Sequence, residues 1–432
     1  MALTHPPWPS STAIAPRLDS SLLVEEEKTP YYHVSRFYPV RLGQVFHGRY
    51  QIATKLGYGS SSTVWLARDL YRCFPNSDQF LHSHLTLRVY SWRWSRERYV
   101  ALKINALNYR SDQNTAENEL AILEHISSAN KKHEGWHFVR RLLGSFRIEG
   151  VAGTHLCLVL EPLREPLWLY CQRFVGGTIP SNILKIIMRM ILQGLDYLHS
   201  ECQIIHTDLK PDNILVKLED LAMLDRDARD EYHTPLPQKI TDDRTIYLSR
   251  NDYGQFSKPT GLVQITDFGL SVSGKTQHSG CIQAEIYRAP EVILDAGYSY
   301  SADIWSLGIM MWDLLEGKTL LDPIHRQTSD EYDDLMHLAQ LTSLLGPPPS
   351  NILHSGRRTS MFYKPDGDLK HPELVPKDLK FENTVTRISG QDKTDFLEFV
   401  KKMVKWNPAE RSTARDLLKD PWLYGDYPSD AQ

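Results

Sequence analysis

The 432-residue sequence has few cysteines, no long apolar run and little excess of either charge. No C-x-x-C pair is present, and an odd number of scattered cysteines argues against a disulfide framework and a zinc site; the five are Cys73, Cys157, Cys171, Cys202 and Cys281. Because no stretch of about 18 apolar residues occurs, no membrane-spanning helix is expected. The formal net charge of -4 gives no global attraction to nucleic acid or to an anionic membrane. These absences predict a soluble protein with reduced thiols, located in the cytoplasm, the nucleus or both.

The composition is that of a folded chain. Hydrophobic residues make up 41% and charged residues 24% of the sequence, and its length allows two or three cores of about 150 residues each. Residues 1–30 differ from the rest because they are rich in Pro, Ser and Thr and show little periodicity. This segment is predicted to be a flexible leader.

From Tyr50 onward the pattern predicts strands and then helices. YQIATKLGYGSSSTVWLARD reads as a β-hairpin with a Gly/Ser turn, and the strand YVALKI is followed by a helix in TAENELAILEHI. The segment from Ser181 to Ser200 has apolar residues around most of its circumference, which predicts a buried helix. The predicted class is α+β, with a small β-rich N-lobe over about 50–161 and a larger α-helical C-lobe over about 164–423. Insertions are expected at 71–98 and 217–262, and a cleft between the two lobes is the expected ligand site.

The turn Gly57-Tyr58-Gly59-Ser60-Ser61-Ser62 has glycine spacing that lets backbone N–H groups approach a phosphate, and Val64 lies just beyond it. Ser62 stands where a third glycine often stands. Such a turn alone is a weak signal, because most two-glycine hairpins are only tight turns. VALK on the next strand adds Lys103, whose charge suits the α and β phosphates of a nucleotide, and Glu119 on the following helix could pair with it. In isolation, such a pair would more often be a solvated one.

IIHTDLKPDNIL is more specific, because it sets an Asp, a Lys and an Asn at fixed offsets between apolar stretches. Asp208 could orient and deprotonate an attacking hydroxyl, Lys210 could neutralise charge on a transferring phosphoryl group, and Asn213 could hold magnesium. ITDFGLS then supplies Asp267, a second candidate magnesium ligand. A bare D-F-G tripeptide would be only a turn after a strand.

The ordered motifs, completed by YRAPEVIL and YSADIWSLG, resemble the eukaryotic protein kinases from about Tyr50 to Leu423. The resemblance implies catalysis by Asp208 and Lys210 with ATP and Mg²⁺ as cofactors, and Lys210 in LKPDN favours serine/threonine chemistry. It assigns ATP binding to Leu56, Gly57, Gly59, Val64, Ala101, Lys103, Glu119 and Leu160, metal binding to Asn213 and Asp267, and structural roles to Glu291, Asp303 and Arg411. Glu291 is expected to pair with Arg411, and Asp303 to brace the catalytic-loop backbone.

Several segments are similar to the SR-protein kinases and their fungal relatives, which phosphorylate Arg/Ser-rich proteins such as splicing factors. They are YPVRLGQVFHGRYQIATKLGYGSSSTVWLARD, the HTD catalytic loop, LTSLLGPPP and GDLKH. Thr207 of HTD stands where most kinases carry the Arg that receives an activation-loop phosphate. We therefore expect activity without phosphorylation between Leu270 and Ala289, where Thr276 and Ser279 lie. A protein kinase with other substrates, and an inactive kinase-fold scaffold, are the alternatives; an aminoglycoside-type small-molecule kinase fits the APE segment and Arg411 less well.

Acidic residues before the LLG helix, namely Asp330, Glu331, Asp333 and Asp334, could attract substrate arginines, or could be a solvated helix start. The family usually has an acidic residue where this chain has Ser343, which departs from the docking pattern. Asp267 lies 54 residues beyond Asn213 (267 − 213), a long spacer that we interpret as a surface insertion rather than a regulatory or localising element.

A second insertion mixes basic and aromatic residues, as surfaces that bind single-stranded nucleic acid do; these residues are Trp92, Arg93, Trp94, Arg96 and Arg98. An extended hairpin with exposed basic positions explains the same letters, so no direct nucleic-acid binding is expected. Partners are then protein substrates, and a monomer is the default state.

Overall fold

The computed structural model describes residues 5–30, 32–71, 98–108, 115–241, 243–254, 261–324 and 331–426. The strands are β1 Val45–Phe46, β2 Tyr50–Gly59, β3 Ser62–Asp69, β4 Arg98–Asn105, β5 Leu142–Glu149, β6 Thr154–Leu160, β7 Ile204–Ile205, β8 Ile214–Val216, β9 Gln238–Ile240, β10 Thr245–Tyr247, β11 Val263–Ile265 and β12 Val272–Ser273. The α-helices are α1 Thr115–Ser128, α2 Leu167–Cys171, α3 Ser181–Asp196, α4 Ala222–His233, α5 Pro290–Ile293, α6 Ser301–Leu315, α7 Asp334–Leu345, α8 Ser350–Ser355, α9 Thr359–Phe362, α10 Phe381–Thr384, α11 Gly390–Lys401 and α12 Ala414–Leu417.

Strands β1 to β6 form one antiparallel sheet in the order β1-β2-β3-β4-β6-β5. Alternation along β3 and β4 sends Trp65 and Leu102 into an apolar cluster on one face, while Leu66 packs on the other. The predicted hairpin is the β2–β3 pair, with Gly59 opposite Ser62 at its end. A sheet covered on both faces gives the strands around the glycine-rich turn a firm base.

The chain divides into two compact units. The first holds the described residues of Met1–Leu120, Arg141–Arg164 and Leu218–Lys258, and the second those of Ala121–Arg140, Glu165–Lys217 and Pro259–Gln432. A sheet-containing unit and a mainly helical one agree with the predicted α+β class, which is confirmed. The predicted boundary near 161–164 put the 217–262 insertion in the C-lobe, whereas most of the insertion belongs to the first unit. It does so because Leu224 and Ala228 of α4 pack with Ala53 and Leu66 of the sheet.

The leader prediction needs correction for residues 5–30, because this segment makes specific contacts. Gln51 and the backbone of Trp8 exchange two hydrogen bonds of 2.8 Å. The centroid of the Trp8 ring lies 4.0 Å from Cζ of Arg68 and 5.3 Å from that of Arg229. Further along, Lys239 binds Glu27 at 2.8 Å. One aromatic anchor and paired charges therefore fix a stretch whose composition alone suggests disorder.

The second unit is built around helices with apolar residues on most sides. Helix α6 is buried along nearly its whole length, and its Trp312 ring meets Phe396 of α11 at a centroid distance of 5.7 Å. The predicted helix over 181–200 is α3, which continues as a π-helical turn over Tyr197–Cys202. A buried helix such as α6 is a rigid support for the loops that pack against its ends.

The sequence predicted that the chain has no membrane-spanning helix and that its cysteines are reduced, and the described residues can be compared with both predictions. In these ranges no helix has the length and apolarity needed to cross a bilayer. The described cysteines, Cys157, Cys171, Cys202 and Cys281, are free thiols. Residues 72–97, which include Cys73 and most of the Arg/Trp insertion, lie outside the described part of the chain.

Candidate active site

The glycine-rich turn joins β2 and β3 in the first unit. Gly57 lies opposite Val64 and Gly59 opposite Ser62. An added Cβ at Gly57 or Gly59 would meet nothing within 4 Å, so the backbone of both glycines faces open space. This is the access that a phosphate needs to reach backbone N–H groups. Ser62, at the third-glycine position, is buried in the strand.

Strand β4 carries the candidate phosphate-binding lysine of the first unit. Nζ of Lys103 donates to Oε1 of Glu119 on α1 at 2.7 Å, and both side chains are largely buried. Partial burial makes this pair stronger than an exposed one, because water screens it less. Ala101 lies opposite Leu160 across β4 and β6, and both are buried. The register thus gives Lys103 a fixed direction and places two candidate base-binding residues side by side.

The catalytic loop of the second unit brings Asp208, Lys210 and Asn213 together. Nζ of Lys210 lies 2.9 Å from Oδ2 of Asp208. Nδ2 of Asn213 donates to the carbonyl oxygen of Asp208 at 2.8 Å and to its Oδ2 at 2.9 Å. Two donors thus hold the Asp208 carboxylate in one orientation, as a general base requires.

Asp303, at the start of α6, holds the backbone of this loop. Its carboxylate accepts hydrogen bonds from the backbone N–H of His206 at 2.8 Å and of Thr207 at 2.9 Å, and His199 lies 2.9 Å away. Burial opposes ionisation of Asp303, but the hydrogen bond from His199 and the charges of His199 and His206 hold the pKa of this carboxyl below its ordinary value. The anchor is therefore a carboxylate that ties the loop to a buried helix.

The residues present fit a magnesium ion. The side-chain nitrogen of Asn213 donates to Asp208, so the side-chain oxygen of Asn213 is not directed at that carboxylate. Asp267 is exposed. Thr266, just before Asp267, donates through its N–H to the carbonyl oxygen of Asn213 at 2.8 Å, so the antiparallel pair β8–β11 brings the two candidate ligands near each other. Among the described residues no group of three or more His, Cys, Asp or Glu could hold a metal. One carboxylate and one amide oxygen suit Mg²⁺, which takes its other ligands from water and phosphate.

Thr207 has contacts that its sequence position did not reveal. Its backbone has a φ of 69°, unusual for a β-branched residue. Its Oγ1 donates to the carbonyl oxygen of Leu270 at 2.8 Å, and its own carbonyl accepts the N–H of Gln283 at 3.0 Å. Nε2 of buried Gln283 also donates to the carbonyl of Ala302 at 2.9 Å. Hydrogen bonds between uncharged groups thus hold both ends of the segment between the DFG and APE motifs.

Glu291 and Arg411 form a fully buried pair in the second unit. Both terminal guanidinium nitrogens of Arg411 donate to the Glu291 carboxylate at 2.6 Å, and neither side chain is exposed. This geometry is bidentate, the strongest form of the Arg–carboxylate interaction. The pair ties α5 to the segment before α12.

The model of the protein kinase domain family matches residues 88–423. The chain belongs to the protein kinase family. This kinase is 36% identical over 419 residues to a serine/threonine protein kinase of Aspergillus fumigatus, covering 97% of this chain and 95% of the relative. It is 30% identical to the serine/threonine-protein kinase SRPK of Physarum polycephalum over 92% of this chain and 91% of that one. With human SRSF protein kinase 3 it shares 25% identity over 92% of this chain and 90% of the relative.

Among solved structures, the crystal structure of a kinase domain matches this kinase with a TM-score of 0.64 at 22% identity, covering 90% of this chain and 99% of that one. At this identity the match shows the fold alone. Together the family model and the relatives make the chain a protein serine/threonine kinase of the wider SR-protein kinase group. A kinase domain implies the use of ATP.

The acidic segment before α7 of this kinase is largely engaged within the chain. Asp333 caps the helix by accepting from the N–H groups of Leu335 and Met336. Asp334 pairs with Arg358 at 2.8 Å. Glu331 is exposed, whereas Asp330 lies outside the described residues. The hydroxyl of Ser343 donates to the backbone carbonyls of Pro376 and Leu379, in the segment before α10.

Proposed function

We propose that this kinase transfers the γ-phosphate of ATP, with Mg²⁺, to serines of Arg/Ser-rich proteins such as splicing factors. The observation that carries the proposal is the Asp208–Lys210–Asn213 cluster, held on Asp303, in a chain whose relatives include proteins named SRSF protein kinases. An orienting carboxylate beside a fixed ammonium is the arrangement that phosphoryl transfer to a hydroxyl needs.

In this proposal Asp208 accepts the hydrogen bond of the substrate serine and takes its proton as the serine oxygen attacks the γ-phosphorus, while the bond from that phosphorus to the β–γ bridging oxygen breaks and ADP leaves. Lys210 stabilises the charge that spreads over the transferred group. Lys103, oriented by Glu119, binds the phosphates of ATP, and Leu56, Val64, Ala101 and Leu160 contact the base. Mg²⁺ held by Asn213 and Asp267 would supply charge neutralisation at the β and γ phosphates.

We further propose that the kinase is active without phosphorylation of its activation segment. A phosphate normally orders this segment through an arginine that this chain lacks. Thr207 bonds Leu270 and Gln283 directly, which supports a segment already ordered. Because these contacts involve no charged group, the ordered segment does not require phosphorylation by another kinase.

The acidic residues before α7 bear on the Arg/Ser preference. Arginine docking needs free carboxylates, and Asp333 and Asp334 already have partners within the chain. Exposed Glu331 keeps its carboxylate toward solvent. The competing proposal is a kinase that phosphorylates serines outside Arg/Ser repeats. A kinase-fold scaffold is disfavoured because Lys103, Asp208, Asn213 and Asp267 are all present.

The partners in this proposal are protein substrates in the cytoplasm, the nucleus or both, and the kinase works as a monomer without binding nucleic acid directly. The test measures radioactive phosphate transfer from ATP to an Arg/Ser-repeat peptide and to a general basic protein. The protein is made in bacteria and compared with Asp208→Ala. Asp208-dependent transfer that favours the repeat peptide is expected. Transfer to the general substrate alone would overturn the substrate preference, and no transfer from folded protein would overturn the proposed catalysis.

A further inference from the structure

Lys55 is a buried charge for which the proposed reaction has no use. Its side chain is fully buried, although it stands in β2 near the edge of the sheet. Its Nζ binds Oε2 of Glu26, lies 3.3 Å from Oε2 of Glu25 and donates to the carbonyl oxygen of Tyr247 at 3.1 Å. An ammonium group without such partners would be costly there, because burial removes its water.

Three distant segments meet at Lys55. Glu25 and Glu26 belong to the short 3-10 turn Glu25–Lys28, and Tyr247 ends β10 in the 217–262 insertion. The insertion also contacts both Glu25 and Lys55. The N–H of Ser249 donates to the carboxylate of Glu25 at 3.0 Å, and the N–H of Arg250 donates to the carbonyl of Lys55 at 2.9 Å. The side chain and the backbone of Lys55 are thus both held from outside the sheet.

The position of Lys55 is two residues before the glycine-rich turn. Lys55 pairs with Trp65, the next pair is Gly57 with Val64, and the register shifts between them. Such an irregularity bends a strand and redirects the residues beyond the bend. On the β3 side the turn is held by the pairing of Gly59 with Ser62 and by the N–H of Ala106, which donates to the carbonyl of Ser61 at 2.8 Å. On the β2 side the contacts at Lys55 come directly before the bend that leads into the turn.

We propose that Glu26, acting through Lys55, positions the glycine-rich turn for ATP, so that the N-terminal segment is a working part of nucleotide binding. The inference rests on the proposed role of Gly57 and Gly59 at the phosphates. Glu26 is a positioning residue. Its effect reaches the nucleotide through Lys55 and the backbone between Lys55 and the turn.

Glu27 provides a matched control. Lys239 binds both carboxylate oxygens of Glu27 at 2.8 and 2.9 Å, and the two side chains are nearly as buried as those of Glu26 and Lys55. Lys239 lies on β9, which pairs with β10 and not with β2. Replacing Glu27 by Gln therefore removes an ion pair of similar burial from the same turn without touching the strand that leads to Gly57.

The test uses the full chain with Glu26→Gln or Glu27→Gln, well below the unfolding temperature of each. Calorimetry gives the Kd for ATP with magnesium, and steady-state assays give KM for ATP and kcat. For Glu26→Gln we expect Kd and KM to rise about tenfold, equivalent to about 1.4 kcal/mol of binding, with kcat at saturating ATP unchanged. Glu27→Gln should leave all three values unchanged. Direct measurement of Kd is needed because KM alone reports binding only when chemistry is slow.

Lys55→Met is the second variant in case Glu26→Gln does not fold, since it removes the buried charge and keeps apolar volume. It should raise the Kd for ATP in the same way. Equal nucleotide binding by Glu26→Gln, Glu27→Gln and the natural chain would overturn the inference and leave the proposed function standing. A fall in kcat with unchanged Kd would also overturn it. A natural chain that does not bind ATP would overturn the proposed function together with the inference.

Discussion

Replacing Glu291 by Gln should destabilise the second unit severely. The change keeps the size of the side chain but leaves the guanidinium group of Arg411 without its counter-charge, in a place where neither side chain reaches water. Arg411 keeps only neutral acceptors, the carbonyls of Ser301 at 3.0 Å and Lys405 at 3.1 Å. Breaking a buried pair by removing one partner costs about 3–5 kcal/mol. For a unit of this size that corresponds to a fall in Tm of roughly 6–20 °C.

Thermal unfolding followed by tryptophan fluorescence measures this effect, because Cζ of Arg411 lies 4.8 Å from the Trp305 ring centroid. Glu398→Gln is the matched control, since it makes the same chemical change in an exposed pair with Lys401 at 3.5 Å. Exposed pairs contribute little to stability. If the Tm of Glu291→Gln falls no further than that of Glu398→Gln, the reasoning from burial is wrong.

Three further predictions concern local features of the chain. The double change Thr276→Ala and Ser279→Ala should preserve kcat, and loss of nearly all turnover from a folded protein would contradict activity without phosphorylation. Burial raises the pKa of Asp313, which accepts from the hydroxyl of Tyr287 at 3.1 Å, from 3.8 to about 6. The stability due to the protonated group is full below pH 3.8 and lost as the pH rises through 6. Asp313→Asn should therefore gain about 3 kcal/mol relative to the natural chain over that range; a difference that does not vary with pH in urea titrations would refute this. Gly135→Ala would place a Cβ 1.9 Å from the carbonyl oxygen of Gln193, whereas Gly144→Ala would meet nothing within 4 Å, so only the former should lower the free energy of unfolding in urea titrations, by about 1–3 kcal/mol; equal free energies would show that the chain relaxes at Gly135.

Periodicity predicted the elements that carry one strong pattern. The β2–β3 hairpin, β4, α1 and α3 occur where alternation or helical spacing indicated them. It could not predict where the 217–262 insertion packs, because the apolar positions Leu224 and Ala228 of α4 specify a buried face and not its partner. The N-terminal segment was misread for a related reason. Its contacts come from one tryptophan and a few charges, which leave the average composition polar.

The candidate site likewise contains residues that the sequence predicted and residues that it did not. Asp208, Lys210 and Asn213 are close in sequence, so their spacing alone predicted a cluster. The partners of Thr207, namely Leu270 and Gln283, lie more than 60 positions away and have no charge to mark them. The acidic run Glu25–Glu27 was visible in the sequence, but its link to Lys55 depends on a turn that no local pattern indicates.

The docked N-terminal segment also has to wait during synthesis for its binding surface. The hydroxyl of Ser11 donates to the carbonyl of Tyr232, 221 positions later in the chain. At translation rates of about 5–20 residues per second, the first residues wait roughly 10–45 s for the surface that receives them. During that interval Lys55 lacks both its acceptor on Tyr247 and the donor that Arg250 provides to its carbonyl. The N-terminal segment can therefore dock only after α4 and the β9–β10 pair have emerged from the ribosome.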